Sequence, residues 1–437
     1  MGRSRRGMAA DAAPRVTRVQ IVELAKGGDG VGRLPDGSRA VFVPGTAPGD
    51  VVDVELTQQA GTLRGTLREL VQASPVRVDP PCPFARACGG CDWMHVSGPA
   101  QREHRAQIVR AALAQVAPDV PPIRRHDAPV AERYRTRARL AVRGTGGIAR
   151  AGYRAARSHE IVQVQSCRIL DVRLEQARGQ LREWLRGAHG MGDLSLYLGR
   201  GGLPALALDW DGELPASVFA QADARVQKGI WAGAQVALRG ATAPAVIGDA
   251  AAECMGADGV TLRAPPDGFM QAFEAVNAML VGRARELAAC QGLPTLELFA
   301  GSGNLTVALA RDTDQLETLE SSAEAVQAAR HNLERRGLRA RVRHGDADTP
   351  AVRPGVAVVL LDPPRSGAAG AAKAIASSRV RRVVMISCDP ATLARDVALL
   401  RGDGRFSLTS VDVFEMFPQT SHVETLVVMQ RNGGGEA

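Results

Sequence analysis

Several things are missing from this 437-residue chain. No stretch approaches the roughly 18 consecutive apolar residues of a membrane span, and the opening MGRSRRGMAADAAPR has no apolar core of a secretory signal. A cytoplasmic protein with no membrane partner is therefore expected. Internal repeats at solenoid periods are lacking, as is low complexity beyond alanine richness, which argues against a repeat array or a disordered scaffold. Lysine is scarce: Lys26, Lys228 and Lys373 stand beside 51 arginines. That bias follows equally from genomic base composition, so the placement of the charge carries more than its type.

With 45% hydrophobic and 23% charged residues, the chain has material for real cores. Its length suggests two to three domains at about 150 residues each. The formal charge is +8, and residues 101–160 hold 13 Arg against 5 acids. Residues 1–20 add 5 Arg against Asp11. Clustered positive charge is what a phosphate backbone selects, although a solvated surface looks the same in one sequence. Arg124 and Arg125 precede the segment YRTRARL, where alternation would set Arg133, Arg135, Arg137 and Arg139 on one face as a ribbon for RNA phosphates.

Residues 1–13 read as a polar tail. From residue 14 to 74, short β-rich runs broken by GGDG, PDGS and TAPGD suggest a small barrel of the OB type. A Pro-Gly-Cys connector, a helix in GPAQREHRAQIVRAALAQV and a mixed α+β region fill residues 75–270. From residue 271 to 437 strands and helices alternate strictly, with a helix expected from Asn304 and a final antiparallel pair at the sheet edge. Such alternation means an α/β, doubly wound parallel sheet whose ligands sit at the carboxyl ends of the strands.

The chemistry-bearing motifs fall at those ends. ELFAGSGN, residues 297–304, puts Gly301 and Gly303 between a strand and a helix start, where the backbone can approach a cofactor. The second strand ends in Glu320, 17 residues beyond Gly303, placed to accept ribose hydroxyls. An acid before the glycines, G-x-G and this second acid together resemble the S-adenosylmethionine site of Rossmann-like methyltransferases; a nicotinamide cofactor is the rival. Asp346 follows the third strand and could meet the adenine edge. Asp362 opens DPPR after the fourth, and Arg365 stands where amino-group methyltransferases carry an aromatic residue, which points to a carbon acceptor.

The fifth strand ends in SCDPAT, placing Cys388 at a strand-to-helix turn. A helix N-terminus lowers a cysteine pKa and suits a nucleophile, while the bland alternative is a buried small hydrophobe. A thiolate and a methyl donor fit methylation of a pyrimidine at carbon 5. That carbon becomes nucleophilic only after a thiolate adds to carbon 6, and a general base must then remove its proton. FPQTSHVETL supplies His422 and Glu424, expected on one face of an extended segment, with Glu424 the better base.

F-x-Q at residues 269–271, ELFAGSGN, LLDPPR, SCDPATLARD and FPQTSHVE together are similar to the RNA uracil-5 methyltransferase family, in order and over nearly the whole chain. The resemblance implies a Rossmann-like catalytic domain and a central RNA-binding region. It implies that Cys388 forms the covalent adduct and Glu424 takes the proton, and that Gln271, Phe299, Asn304, Glu320 and Asp362 line the S-adenosyl-L-methionine site. The position facing adenine is left between Asp346 and a neighbour. Cys82, Cys88, Cys91 and the distant Cys167 resemble the four-cysteine [4Fe-4S] site of the ribosomal-RNA members, which also carry an N-terminal TRAM barrel. From chemistry alone four thiolates could equally hold zinc. The partner implied is RNA, 23S rRNA ahead of tRNA, and a monomer is expected. The alternative from another class is a non-catalytic RNA-binding protein on the same fold. Cys254 and Cys290 default to core packing.

Overall fold

A computed structural model describes residues 16–402 and 404–433. The expected polar tail, residues 1–13, lies outside the described residues. Val19, Ile21, Val41, Val43, Val52 and Val54 recur at every second position of their strands, and their side chains meet as one buried cluster. The strands are β1 (Val16–Leu24), β2 (Gly30–Arg33), β3 (Ala40–Val43), β4 (Val51–Gln59) and β5 (Thr62–Gln72), closed into a barrel in the order β1-β2-β3-β5-β4. β2 was hidden in the sequence because its glycines read as a turn.

The chain divides into two compact units. The first holds the barrel, residues up to Pro81, together with Asp92–His104 and Gln419–Ser421. Within it Asp92 accepts hydrogen bonds from the Ser421 amide at 2.7 Å and the Ser421 hydroxyl at 2.5 Å. Gln101 binds the Gln419 amide through its carbonyl oxygen at 3.0 Å.

The second unit contains two large sheets and a two-stranded hairpin. α1 (Gly98–Ala114) reaches it through its C-terminal half, followed by β6 (Ile123–His126). The central sheet is built from β7 (Arg137–Thr145), β8 (Arg150–Arg154), β9 (Ile161–Val162), β10 (His189–Leu198), β11 (Pro204–Glu213), β12 (Gly233–Leu238) and β13 (Ala245–Gly248). Its order is β13-β12-β11-β10-β7-β8-β9, and α2 (Val172–Trp184) and α3 (Ala216–Gln227) bury one face through Leu174, Leu181, Trp184 and Val218. The hairpin β14 (Ala252–Met255) and β15 (Thr261–Ala264) leads to the last sheet.

That sheet uses β16 (Thr295–Leu298), β17 (Leu316–Glu320), β18 (Arg341–His344), β19 (Val358–Leu361), β20 (Arg382–Ser387), β21 (Phe406–Phe414) and β22 (Glu424–Arg431). The helices are α4 (Glu274–Ala288), α5 (Thr306–Leu309), α6 (Ala323–Glu334), α7 (Ala369–Ala376) and α8 (Pro390–Arg401). The order is β18-β17-β16-β19-β20-β22-β21-β6, parallel through β20, with β22 antiparallel to both neighbours. This is the expected doubly wound α/β architecture.

Two local expectations change. The β21–β22 pair is not the edge of the sheet: β6, from far upstream, lies parallel to β21 and covers it. Val109, Leu113 and Ala117 join the same core, so catalytic packing draws on residues well before 271. The helix expected from Asn304 is a turn followed by the four residues of α5; positive φ at Gly301 and Gly303 keeps the chain before Asn304 non-helical.

The arginine ribbon also differs. β7 begins only at Arg137, and Arg133 has φ of +54°, which breaks the alternation. Arg133 donates to the Cys167 carbonyl at 2.8 Å, Arg135 to the Arg137 carbonyl at 2.8 Å, and Arg137 is ion-paired with Asp267. Arg139, more exposed, pairs with Asp193 at 3.5 Å, so all four guanidinium groups have partners within the chain. On the solvent face of the sheet Arg143 and Arg150 are cross-strand partners, beside a cavity of about 680 Å³ that also meets Arg154, Asp193, Asp209 and Asp211. Among the described residues no helix is long and apolar enough to cross a membrane.

Candidate active site

The cofactor loop is built by the end of β16. Phe299 holds φ of +60°, an uncommon conformation for an aromatic residue that persists only where its surroundings enforce it. It turns the chain sharply into the glycines. A Cβ on Gly303 would press on Ala329 of α6 at 3.2 Å, whereas one on Gly301 would enter open space. Gly303 thus permits close helix packing, and Gly301 leaves room for a ligand. The Gly301 amide donates to Glu320 at 2.9 Å, and the Glu320 carboxylate also accepts from the Ser322 amide at 2.8 Å. Asn332 of α6 steadies the loop by donating to the Ser302 carbonyl at 2.8 Å.

Asn304 is locked in a reciprocal amide pair with Asn277 of α4, at 2.8 and 3.0 Å. Asn277 was missed from sequence. Its signal was an amide on the otherwise apolar stripe of Val276, Leu280 and Val281. Gln271 is buried. Asp346 is exposed and turned into its own loop, accepting from the Asp348 amide at 2.9 Å and the Thr349 hydroxyl at 2.7 Å.

Three carboxyl groups crowd this end of the sheet. Glu297 is 1% exposed and neither of its oxygens has a hydrogen-bond partner among the described residues. Burial pushes its pKa up to about 8; the nearby Thr306 hydroxyl offsets this only partly, and the charges of Asp362 and Glu320 add to it. Burial also raises half-buried Asp362, and it raises Glu424, which additionally feels the Asp362 charge. Buried carboxyls beside a glycine loop, Glu297 among them without a partner among the described residues, suit S-adenosylmethionine, whose ammonium and sulfonium groups are both cationic. The residues present fit that cofactor: Glu297, Glu320 and Asp362 put three carboxyl groups beside the glycine loop.

Cys388 closes the site. β20 ends at Ser387, and Asp389 caps α8 by accepting from the Ala391 and Thr392 amides at 3.0 and 3.1 Å. The Cys388 thiol is pushed up to about 11, first by burial, then by the charge of Glu424, with a smaller push from Asp362; Arg365 works in the opposite direction. The helix N-terminus does not lower this thiol as expected, because burial and the charges of Glu424 and Asp362 outweigh it and its first amides are taken by Asp389. Cys388, Glu424, Asp362 and Arg365 nevertheless act on one another electrostatically, so the nucleophile and base candidates share one crevice. His422 does not share the environment of Glu424: it is exposed, Glu424 is 3% exposed, and β22 starts only at Glu424.

The four cysteines of the other motif also converge. Burial raises the Cys88 thiol, partly offset by the Gly90 amide, with Cys167 and Cys82 adding repulsion. Cys91 is raised by burial and by Cys167, Cys88 and Cys82. The backbone bridge between Cys88 and Ala155 fixes the connector against the end of β8. Among the described residues no three ligating groups close on a single metal ion.

Comparison with known proteins agrees with this architecture. Residues 15–67 match the TRAM domain family and residues 353–432 match a family described as tRNA (Uracil-5-)-methyltransferase. A 23S rRNA (uracil(1939)-C(5))-methyltransferase of Halomonas elongata is 33% identical, over 94% of this chain and 88% of that protein. The protein of the same description from Pectobacterium carotovorum is 30% identical over 95% and 94%. Among solved structures, a tRNA (uracil-54, C5)-methyltransferase of Pyrococcus abyssi in complex with S-adenosyl-L-homocysteine superposes with a TM-score of 0.73 at 22% identity, covering 94% of this chain and 100% of that one. With a closed N-terminal barrel, a doubly wound sheet and full-length relatives above 30% identity, the chain belongs to the S-adenosylmethionine-dependent RNA uracil-5-methyltransferase family, in its TRAM-bearing branch.

Proposed function

We propose that this chain methylates carbon 5 of a uridine in 23S rRNA through a covalent adduct with Cys388. The observation that carries the reading is the meeting of a thiol, a buried carboxyl and a second carboxyl at the carboxyl end of the parallel sheet, beside the glycine loop. Bound S-adenosylmethionine supplies an electrophilic methyl group. Everything else falls to side chains of this chain. Cys388 gives its thiol proton to solvent and adds as the thiolate to carbon 6 of the base, pushing the carbon 5–carbon 6 electron pair towards carbon 5; Arg365 favours the negative charge of the sulfur. Carbon 5, now electron-rich, takes the methyl group. Glu424, kept basic-poised by burial, removes the carbon 5 proton, and the electron pair of that C–H bond re-forms the double bond as the thiolate leaves. Gln271, Phe299, Asn304, Glu320 and Asp362 hold the cofactor, and Asp346 is the candidate at its adenine edge. Residues 14–74 and 75–270 dock the RNA, which must present the target base flipped out of its stack.

Ribosomal RNA is preferred over tRNA because relatives of at least 30% identity carry the 23S rRNA description. The tRNA reading draws on the printed name of the matched family and on the P. abyssi enzyme. Transfer of labelled methyl from S-adenosylmethionine to RNA of a deletion strain separates them: label is expected in 23S rRNA as 5-methyluridine. Label confined to tRNA would reverse the preference, and none in either would leave an RNA-binding protein.

Cys82, Cys88, Cys91 and Cys167 are proposed to hold a [4Fe-4S] cluster. Support comes from the resemblance of their spacing to the four-cysteine site of the ribosomal-RNA members and from the charge coupling of Cys88 and Cys91 to Cys167 and Cys82. Protein purified without oxygen should be brown and contain about four irons per chain. Cys167→Ser should lose the iron as completely as Cys88→Ser, although residue 167 lies 76 positions beyond Cys91. Zinc in place of iron would overturn this assignment. The protein is further proposed to act in the cytoplasm as a monomer.

A further inference from the structure

Glu424 is the first residue of β22, paired with Phe414, the last of β21. Immediately beyond this pair both limbs of the connection leave the ladder, so the sheet alone fixes the base from one side only. Glu415, Met416 and Pro418 on the departing limb and Val423 on the returning one are buried, where unpaired backbone polar groups are costly.

One side chain meets both limbs. Arg105 is 1% exposed and projects from the half of α1 that Val109 and Leu113 seat in the catalytic core. Its Nη1 donates to Oε1 of Glu415 at 3.0 Å and its Nη2 to the Phe417 carbonyl at 3.2 Å, both on the departing limb. Its Nε donates to the His422 carbonyl at 3.2 Å, on the returning limb two residues before Glu424. Glu415 is itself held, its Oε2 accepting from the Ala128 amide at 3.1 Å and its amide donating to the His126 carbonyl at 3.0 Å. A second clamp lies alongside: the buried Tyr134 hydroxyl donates to the Pro418 carbonyl at 2.9 Å. A planar fork with donors in fixed directions suits this three-way tie, which a single ammonium point cannot reproduce.

We propose that Arg105, with Tyr134 as its auxiliary, is a positioning residue for the general base: it ties the two limbs of the β21–β22 connection together and so aims the Glu424 carboxylate at the carbon 5 proton. Neither residue touches the reacting atoms. The proposal rests on Glu424 being the base. Its consequence is selective. Addition of Cys388 and methyl transfer precede proton removal, so a misaimed carboxylate slows only the last step and lets the methylated covalent complex accumulate.

The test uses the full-length holoprotein with undermethylated 23S rRNA. Arg105→Gln is made together with Glu415→Gln, so that no buried charge is left without its partner. Single-turnover methyl incorporation is expected within about three-fold of the parent, while product release slows by roughly ten-fold or more, part of the 10²–10⁴ that a positioned base contributes. A denaturation-resistant protein–RNA complex should rise accordingly. Arg105→Lys, which keeps a charge for Glu415 and one carbonyl within reach, should release product at an intermediate rate. A loss of turnover with no rise in adduct, or an adduct at the parental level, would overturn the proposal. Should the double variant fail to fold, Tyr134→Phe, which removes one hydroxyl, is read in the same assay: adduct above the parental level supports the clamp, and the parental level refutes it. Glu424→Gln is the control, since absence of adduct there would instead remove Glu424 as the base.

Discussion

Replacing Cys388 with alanine is expected to abolish methyl transfer to RNA while S-adenosylmethionine affinity stays within a few-fold. The thiol lies at the end of β20, and the charges acting on it are Glu424, Arg365 and Asp362, whereas the glycine loop is bound by Glu320 and Asn332. Removing one sulfur atom leaves those loop contacts in place. Without it carbon 5 of the pyrimidine stays a poor nucleophile. Losing a covalent nucleophile typically costs on the order of 10⁴–10⁶ in rate. Labelled methyl transfer and cofactor titration on the same preparation check both halves. Turnover within ten-fold of the parent would show that Cys388 is not the nucleophile.

Glu424→Gln has the opposite signature, a stalled and visible intermediate. Burial and the Asp362 charge raise the Glu424 pKa, and its negative charge in turn raises that of Cys388. A neutral amide therefore removes the proton acceptor and one of the charges that hold the thiol protonated. The thiol pKa should fall from its high value, so adduct formation should reach its plateau at lower pH than in the parent. Release needs loss of the carbon 5 proton, which the amide cannot take. A methyl-labelled band should then migrate with the protein on a denaturing gel, at a level approaching one RNA per chain. A variant that turns over without such a band would exclude Glu424 as the base.

The difference between these two expectations and the arginine clamp lies in what each residue does to the order of events. In the proposed order of events Cys388 acts first, so its loss should leave nothing behind. Glu424 and Arg105 would act last, one directly and one through the course of the chain, so their loss should leave methyl groups attached to an unreleased complex. Rates alone would not separate the base from its support. The graded response to Arg105→Lys would, because a Glu424 carboxylate that is present but misaimed still works part of the time.

Local chemistry made much of the protein readable in one dimension. Strand-helix alternation after residue 271 identifies a doubly wound sheet, because a parallel strand pair requires a crossover and the crossover helix has its own period. Glycines at 301 and 303, acids at 297, 320 and 362, Cys388 and Glu424 all fall at strand ends, and the sheet brings strand ends together whatever lies between them. The barrel was legible for the same reason, since alternation of Val19 with Ile21 and of Val52 with Val54 can bury only one face.

What alternation does not carry is the partner of each side chain. β6 covers the β21 edge from nearly three hundred residues away, Asn277 pairs with Asn304, and Arg105 reaches residues 415, 417 and 422. The arginines of YRTRARL looked like a free ribbon, yet Arg133, Arg135 and Arg137 are used by carbonyls and Asp267. The state of Cys388 went the same way: its place before a helix argued for a lowered pKa, and the folded crevice raises it through burial and two carboxyl groups. Residue type and spacing determine which groups arrive at the site, because they follow from backbone periodicity over a few residues. Burial, ion pairing and pKa depend on distances between segments far apart in the chain, so only tertiary packing decides them.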